Sequence, residues 1–256
     1  MRSLAELIIG LPGETRASHL DALSSLLEEG NCTINPYNCM LLKGSEMNSK
    51  EYRNRFEFKS AWRLLDNAYG QYGPLKAIEA EEIIRSTNTM TEEEILYFRS
   101  LHWLIFYMQT YGYFARLISF FRSQKIPVIS FLQVLLESRI NAPEEVSKIF
   151  DSLSREAQDE FFDSYQSLVD HYSKDANWKD LISGGFGKIN YKYIIRVLME
   201  CKDQFADHIA KTAKSMFTQS PNAEEYHKVI DAIVEFEKKS AIALAHSKTF
   251  NNFTME

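Results

Sequence analysis

LIIGLPGET, residues 7–15, runs from three apolar residues through a loop holding Gly10, Pro12 and Gly13 into a polar helix start. Leu7, Ile8 and Ile9 show no polar/apolar alternation, which predicts a strand buried on both faces of a parallel sheet. Gly10 and Gly13 reach backbone angles closed to other residues and add no side chain that would hold a ligand off. The loop therefore stands at the carboxyl end of a strand beside a helix N-terminus, where α/β folds place ligands. This central-strand pattern starts six residues after Met1, as if the chain began in the middle of a fold.

Working outward, Thr15 or Ser18 caps a helix that runs to about Glu29, with Leu20, Leu23, Leu26 and Leu27 inward and Gly30 as its stop. Cys32–Leu42 is a second strand, turned by Lys43-Gly44-Ser45, and Asn48–Glu57 reads as a surface loop. Phe58–Leu65 is a third strand or the start of a helix. Gly70, Gly73 and Pro74 then break the chain, and the pattern of Ala77–Arg85 leans toward helix. Strand, helix and strand with a connection of this length make a βαβ unit with parallel pairing.

From Thr91 the pattern is helical throughout, and the expected fold class is α/β over residues 1–88 followed by all-α over 89–256. Thr91-Glu92-Glu93-Glu94 matches a capping box, followed at helical spacing by Ile95, Phe98, Leu101, Leu104, Ile105 and Met108. Further helices are expected over Val128–Ser138, Pro143–Leu153 and Ser154–Ser173. A break at Gly184–Gly187 precedes one long helix carrying Ile194, Leu198, Cys201, Phe205, Ile209 and Met216. Ser220-Pro221 starts the last helix, with Val229, Ile230, Ile233 and Phe236 inward.

A net charge of −6, with more acid than base on both sides of residue 88, argues against a nucleic-acid surface. Cys32, Cys39 and Cys201 are too few and too scattered for a disulfide framework and read as reduced thiols. Leu101–Phe121 is too interrupted by polar residues to span a membrane, and no signal peptide is recognisable, so a cytoplasmic protein is expected.

Taken bare, the Gly10–Gly13 loop is neither a P-loop nor a dinucleotide fingerprint. It is either a ligand-facing loop or a structural turn. The six histidines fall singly on helices, and Glu224-x-x-His227 is half of a di-iron motif whose second half is absent. Arg63 points either toward a carboxylate ligand or to solvent. The aromatic helix Tyr97–Phe121 lines a substrate pocket or packs the core.

ELIIGLPGETRASHLDALSSLLEEG, from Glu6, followed by INPYNCMLLKGSEM at Ile34–Met47, resembles the later strands of the radical S-adenosylmethionine (SAM) barrel. The likeness is to the subfamily that often carries a cobalamin-binding domain ahead of the barrel. It continues through Phe58–Leu65 and Gly70–Tyr72, and more faintly at Thr87–Met90 and Gly185–Tyr193. The resemblance implies a partial (β/α) barrel, last strands only, followed by a helical substrate or capping domain. It implies that Gly10, Leu11, Pro12 and Gly13 lie against the nucleoside of SAM, and that Asn35 and Tyr37 belong to the strand that seats the adenine.

In that family a four-iron, four-sulfur cluster, held by Cys-x3-Cys-x2-Cys, cleaves SAM to a 5′-deoxyadenosyl radical. No such triad occurs here: Cys32 and Cys39 are seven apart and Cys201 is distant. Cluster ligation needs convergent thiolates, so this chain alone is not expected to run radical chemistry. The cluster, and cobalamin if used, would belong to a full-length parent. Expected partners are a missing barrel half, a partner chain, or a second copy joined through an exposed strand edge, together with a small-molecule substrate. The alternative is a non-catalytic helical interaction module on a degenerate α/β scaffold.

Overall fold

The βαβ start forms as the pattern requires. The computed structural model describes residues 3–30, 32–185 and 189–248. Strand β1 (Ser3–Ile9) leads through the glycine loop into helix α1 (Arg16–Glu29) and returns as β2 (Cys32–Asn38), parallel to β1 with Ser3 opposite Cys32 and Ile9 opposite Asn38. Thr15 caps α1 reciprocally with Ser18, satisfying two orphan amides. Gly30 ends it at φ 72°, where the Arg122 guanidinium lies 3.0 Å from the place a Cβ would occupy. Arg122 Nε donates to the Leu27 carbonyl (2.8 Å), so a cation closes the helix's negative end.

β1 is not buried on both faces. Ala5, Leu7 and Ile9 pack against the helices, whereas Leu4 and Ile8 are 61% and 42% exposed. Unbroken apolarity is the signature of a strand with cover on two sides, and here one side has none. Among the described residues β2 is the only strand paired with β1.

β2 is shorter than expected because Cys39–Leu41 turns to a new partner. Cys39 N still donates to Ile9 O (2.9 Å), but Ile84 N donates to Cys39 O and Leu41 N to Glu82 O. The expected loop at Asn48–Glu57 contains helix α2 (Lys50–Arg55), capped by the Ser49 side chain, with Glu51 in its first turn and Arg53 and Arg55 in its last. Its polarity marks a surface helix whose charges suit the helix dipole.

Phe58–Leu65 becomes part of β3 (Lys59–Tyr72), and the helix leaning of Ala77–Arg85 is overturned by β4 (Leu75–Ser86). The two pair antiparallel, so this strand does not extend the parallel set. Gly70 lies inside β3; the break is only the two-residue loop Gly73-Pro74, with positive φ on its first residue, as tight hairpins need. Cross-strand pairing decides β4 against the helix propensity of its alanines and glutamates.

The helices begin with α3 (Glu92–Ile105), capped by Thr91 and Glu94 as the box predicts. The single aromatic helix to Phe121 does not form. A π turn (Phe106–Thr110) and Gly112 at φ 79° separate α3 from α4 (Ala115–Ser123). Gln109 and Thr110 of the π turn donate to the carbonyls of Cys32 and Ile34, seating it on β2.

Next come α5 (Val128–Glu137) and α6 (Glu144–Asp159), which runs through the expected boundary at Ser154. The true stop is at Glu160, and Ser164 caps α7 (Tyr165–Ser173), followed by α8 (Asp175–Asp180). Phe186 and Gly187 of the expected glycine break lie outside the described residues.

The long helix divides at Cys201 into α9 (Ile189–Glu200) and α10 (Lys202–Ser215), with no glycine or proline to announce it. In α11 (Ala223–Lys248) Ile230, Val234 and Glu237 are buried and Ile233 packs against the core, whereas Val229 and Phe236, expected inward, are exposed. One large core joins Ile9, Leu23, Leu27 and Ile34 to the helices through Phe98, Trp103, Tyr107, Phe121, Phe131, Phe150 and Phe205. The aromatic residues Trp103, Tyr107, Tyr113 and Phe114 are core, not pocket lining. Among the described residues no helix is long and apolar enough to cross a membrane.

Candidate functional site

The glycine loop is tied internally by one carboxylate. Glu14 Oε2 accepts from Gly10 N (2.7 Å) and Leu11 N (3.3 Å), and Glu14 N donates back to Leu11 O (3.1 Å). Gly10 sits at φ 90°. A Cβ there would meet Ile84 and Cys39 only at ordinary contact distances, so glycine is required for its backbone angle rather than for space. Gly13, at φ 78°, has open space around it. The amides of Gly10 and Leu11 are thus engaged by Glu14, leaving the outer surface of Leu11, Pro12 and Gly13 as the part of the loop open to a ligand.

Thr89 Oγ1 donates to Glu14 O (2.6 Å), joining the loop to the Thr87–Met90 turn, whose Thr87 Oγ1 accepts from the amides of Thr89 and Met90. Two separately singled-out stretches, LPGE and TNTM, therefore meet. Asn35 and Tyr37 alternate with the buried Ile34 and lie on the open face with Leu4, Glu6 and Ile8. Tyr37 Oη reaches Glu6 Oε1 at 3.5 Å. All six nominated residues thus share one open face and its carboxyl end, with Asn35 at mid-strand.

The histidines are not all solitary. His19 Nδ1 lies 2.7 Å from Glu14 Oε1, and His19 Nε2 lies 2.9 Å from His102 Nε2. Both rings are buried, with His19 edge-on to Phe98 at 4.5 Å. Burial first, then His19 and the Arg99 guanidinium, hold His102 well below the usual imidazole range. Arg99 donates to Asn190 Oδ1 (2.7 Å), and Trp103 Nε1 to Asn190 O (3.3 Å).

A signal for this cluster exists in the sequence. His19 lies in step with Leu23 and Leu27, and His102 in step with Phe98 and Ile105, so each is a polar residue on an apolar stripe. Glu14, Thr89 and Arg99 carry no such mark.

The other candidates resolve into structural roles. Arg63 is ion-paired with Glu81 and with Glu160 (3.3 Å), and Arg85 pairs with Glu92 (2.6 Å) while lying 3.9 Å over Phe161. Together with the Trp62–Phe162 backbone bridge, these clamp the hairpin to the end of α6. His227 Nε2 bonds Lys214 O (3.1 Å), and Glu224 pairs with Lys228 at the surface.

All three cysteines are buried. Burial, helped by Glu14 for Cys39 and by Glu200 for Cys201, pushes those two thiols up to about 11, so both stay protonated at neutral pH. Among the described residues no group of three or more His, Cys, Asp or Glu is placed to hold a metal ion. A shallow groove lined by Lys202, Asp203, Glu235, Lys238 and Lys239 is remote from the loop, and Lys238 is already paired with Asp207 and Glu235.

The chain matches no protein-family model, and a search of curated proteins finds none similar to it.

Proposed function

We propose that this chain is the C-terminal portion of a radical SAM protein, cytoplasmic, contributing part of the SAM site and a helical substrate-capping region. In this reading β1 and β2 are late strands of a (β/α) barrel, and their open face is its interior. Leu11, Pro12 and Gly13 rest against the nucleoside, with Gly10 shaping the loop, and Asn35 and Tyr37 lie along the adenine strand. The chain does not run radical chemistry by itself, since it lacks the cysteine triad.

The observation that carries the reading is the unfinished parallel pair. Parallel strands are found with cover on both faces, yet Leu4, Ile8 and Tyr37 lie open, and β1 presents an edge that no described strand occupies. The nominated residues are all on or at the end of that open face.

Two measurements test it. One is the DNA upstream of the Met1 codon: an in-frame or frameshifted Cys-x3-Cys-x2-Cys supports the reading, and a promoter and ribosome-binding site directly before Met1 count against it. The other is SAM titration into the chain alone and into the chain co-expressed with a segment carrying that triad. Binding that needs the second segment and is lost with Gly13→Trp fits; no binding in either preparation does not.

The second reading, a non-catalytic helical interaction module on an α/β remnant, is favoured by a different observation. The inner face of β1–β2 shares its core with the helices, and the loop amides are satisfied by Glu14. On that reading the α/β part needs no ligand, and removing the open-face apolar residues changes nothing but solubility.

A further inference from the structure

We infer that Glu14, His19 and His102 form a buried relay that positions the Gly10–Gly13 loop and makes its order depend on the protonation of the imidazole pair. The inference deepens the reading of that loop as the ligand-facing edge, but its geometry is a property of the ligand-free chain.

Hydrogen counting fixes how the relay works. Glu14 already accepts two amides on Oε2, and its Oε1 faces His19 Nδ1, which must therefore carry a hydrogen. With both rings neutral, His19 Nε2 is bare and His102 Nε2–H donates to it across 2.9 Å. One added proton is accommodated without losing a bond. One Nε2–H still faces one bare Nε2 across the pair. A second proton on His102 sets N–H against N–H, and that contact must open. His19 then loses its anchor, and with it the fixed carboxylate that holds Gly10 and Leu11.

The surroundings bear on where a charge is resisted. The His19 ring meets Glu14 from the loop and Phe98 and His102 from α3. His102 has the Arg99 cation beside it, itself next to Glu160 and Arg63. Cys39 lies within the field of Glu14. Arg16 on α1 is occupied over Tyr97 at 4.5 Å. The end that resists a charge is thus the His102–Arg99 side.

The experiment is hydrogen–deuterium exchange of the full ligand-free chain, read on the segment from Ile9 to Thr15 and corrected for intrinsic exchange. Wild type is expected to keep its loop protection at neutral pH and to lose it at least tenfold on acidification well below the usual imidazole range, while α1 remains protected. His102→Leu should lower loop protection at least fivefold at pH 7.5 and show no further acid step. His102→Gln, whose amide donates to His19 but does not titrate, should restore protection at pH 7.5 and abolish the acid step.

Where His102→Leu fails to fold, the wild type and His102→Gln pair still decides. An unchanged acid midpoint in His102→Gln, or wild-type protection in a folded His102→Leu, overturns the relay. So does stoichiometric Zn²⁺ binding that His102→Gln removes, since the two Nε2 atoms would then be a ligand pair. None of these readouts involves SAM, so failure of the relay and failure of the cofactor reading are separable.

Discussion

The two faces of the β1–β2 pair are built from one short stretch of sequence and have opposite fates. Ala5, Leu7, Ile9 and Ile34 point into a core shared with α1, α3 and α5, while Leu4, Glu6, Ile8, Asn35 and Tyr37 point away from it. Side-chain alternation makes the division unavoidable, since a strand turns successive residues to opposite sides. The inner face explains why the region folds. The outer face, apolar with two polar residues in register, has no role in the isolated fold. The difference separates the face that shares the core from the face that no described element covers.

The largest expected effect is on the inner face: Ile34→Ala should cost about 2–5 kcal/mol in urea unfolding, against a change within about 0.5 kcal/mol for Ile8→Ala on the outer face. Equal costs would mean that the outer face is covered after all.

At the end of the pair, Gly10→Ala forces a side chain onto a backbone at φ 90° and should cost about 1–3 kcal/mol, read as a lowered melting temperature.

Acid should weaken the fold through its buried histidines. Burial, then His19 and Arg99, depress His102, and burial, then Lys211, depresses His208. Below pH about 6.5 the unfolded chain takes up protons that these folded groups refuse, so stability is full above that pH. It falls as pH drops toward the folded pKa values, by at most about 1.4 kcal/mol per pH unit for each. Urea midpoints between pH 7.5 and 5 measure this, and the combined His102→Gln, His208→Gln variant should flatten that part of the slope. Thr15→Ala, which removes the α1 cap, should cost about 1 kcal/mol in urea unfolding.

Local chemistry made much of this legible. The caps at Thr15 and Thr91, the stop at Gly30 and the parallel β1–β2 pairing follow from residues a few positions apart, and the structure has them. What failed depended on distant partners. Ala77–Arg85 reads as helix until β3 lies beside it, and Cys39–Leu41 leaves β2 because β4 offers the Ile84 amide and the Glu82 carbonyl. Tyr97–Phe121 is periodic enough for one helix, but bonding of the π turn to the carbonyls of β2 accompanies its break.

The site divides the same way. Gly10 and Gly13 declare themselves through their backbone freedom. The carboxylate that fills the Gly10 and Leu11 amides, and the imidazole 83 residues from His19 that completes the cluster, do not. A single polar residue on an apolar stripe was the only trace of either histidine.

The most direct test of the unfinished pair is sedimentation velocity over a wide concentration range, on wild type and on Leu4→Lys, Ile8→Lys. An apolar face beside a strand edge that no described strand occupies invites pairing, so wild type should be poorly soluble, self-associate, or stay monomeric only when co-expressed with a partner segment. The double variant should be dispersed and fold with the same inner core. A wild-type chain that stays monomeric at every concentration and melts in one cooperative step would contradict the account.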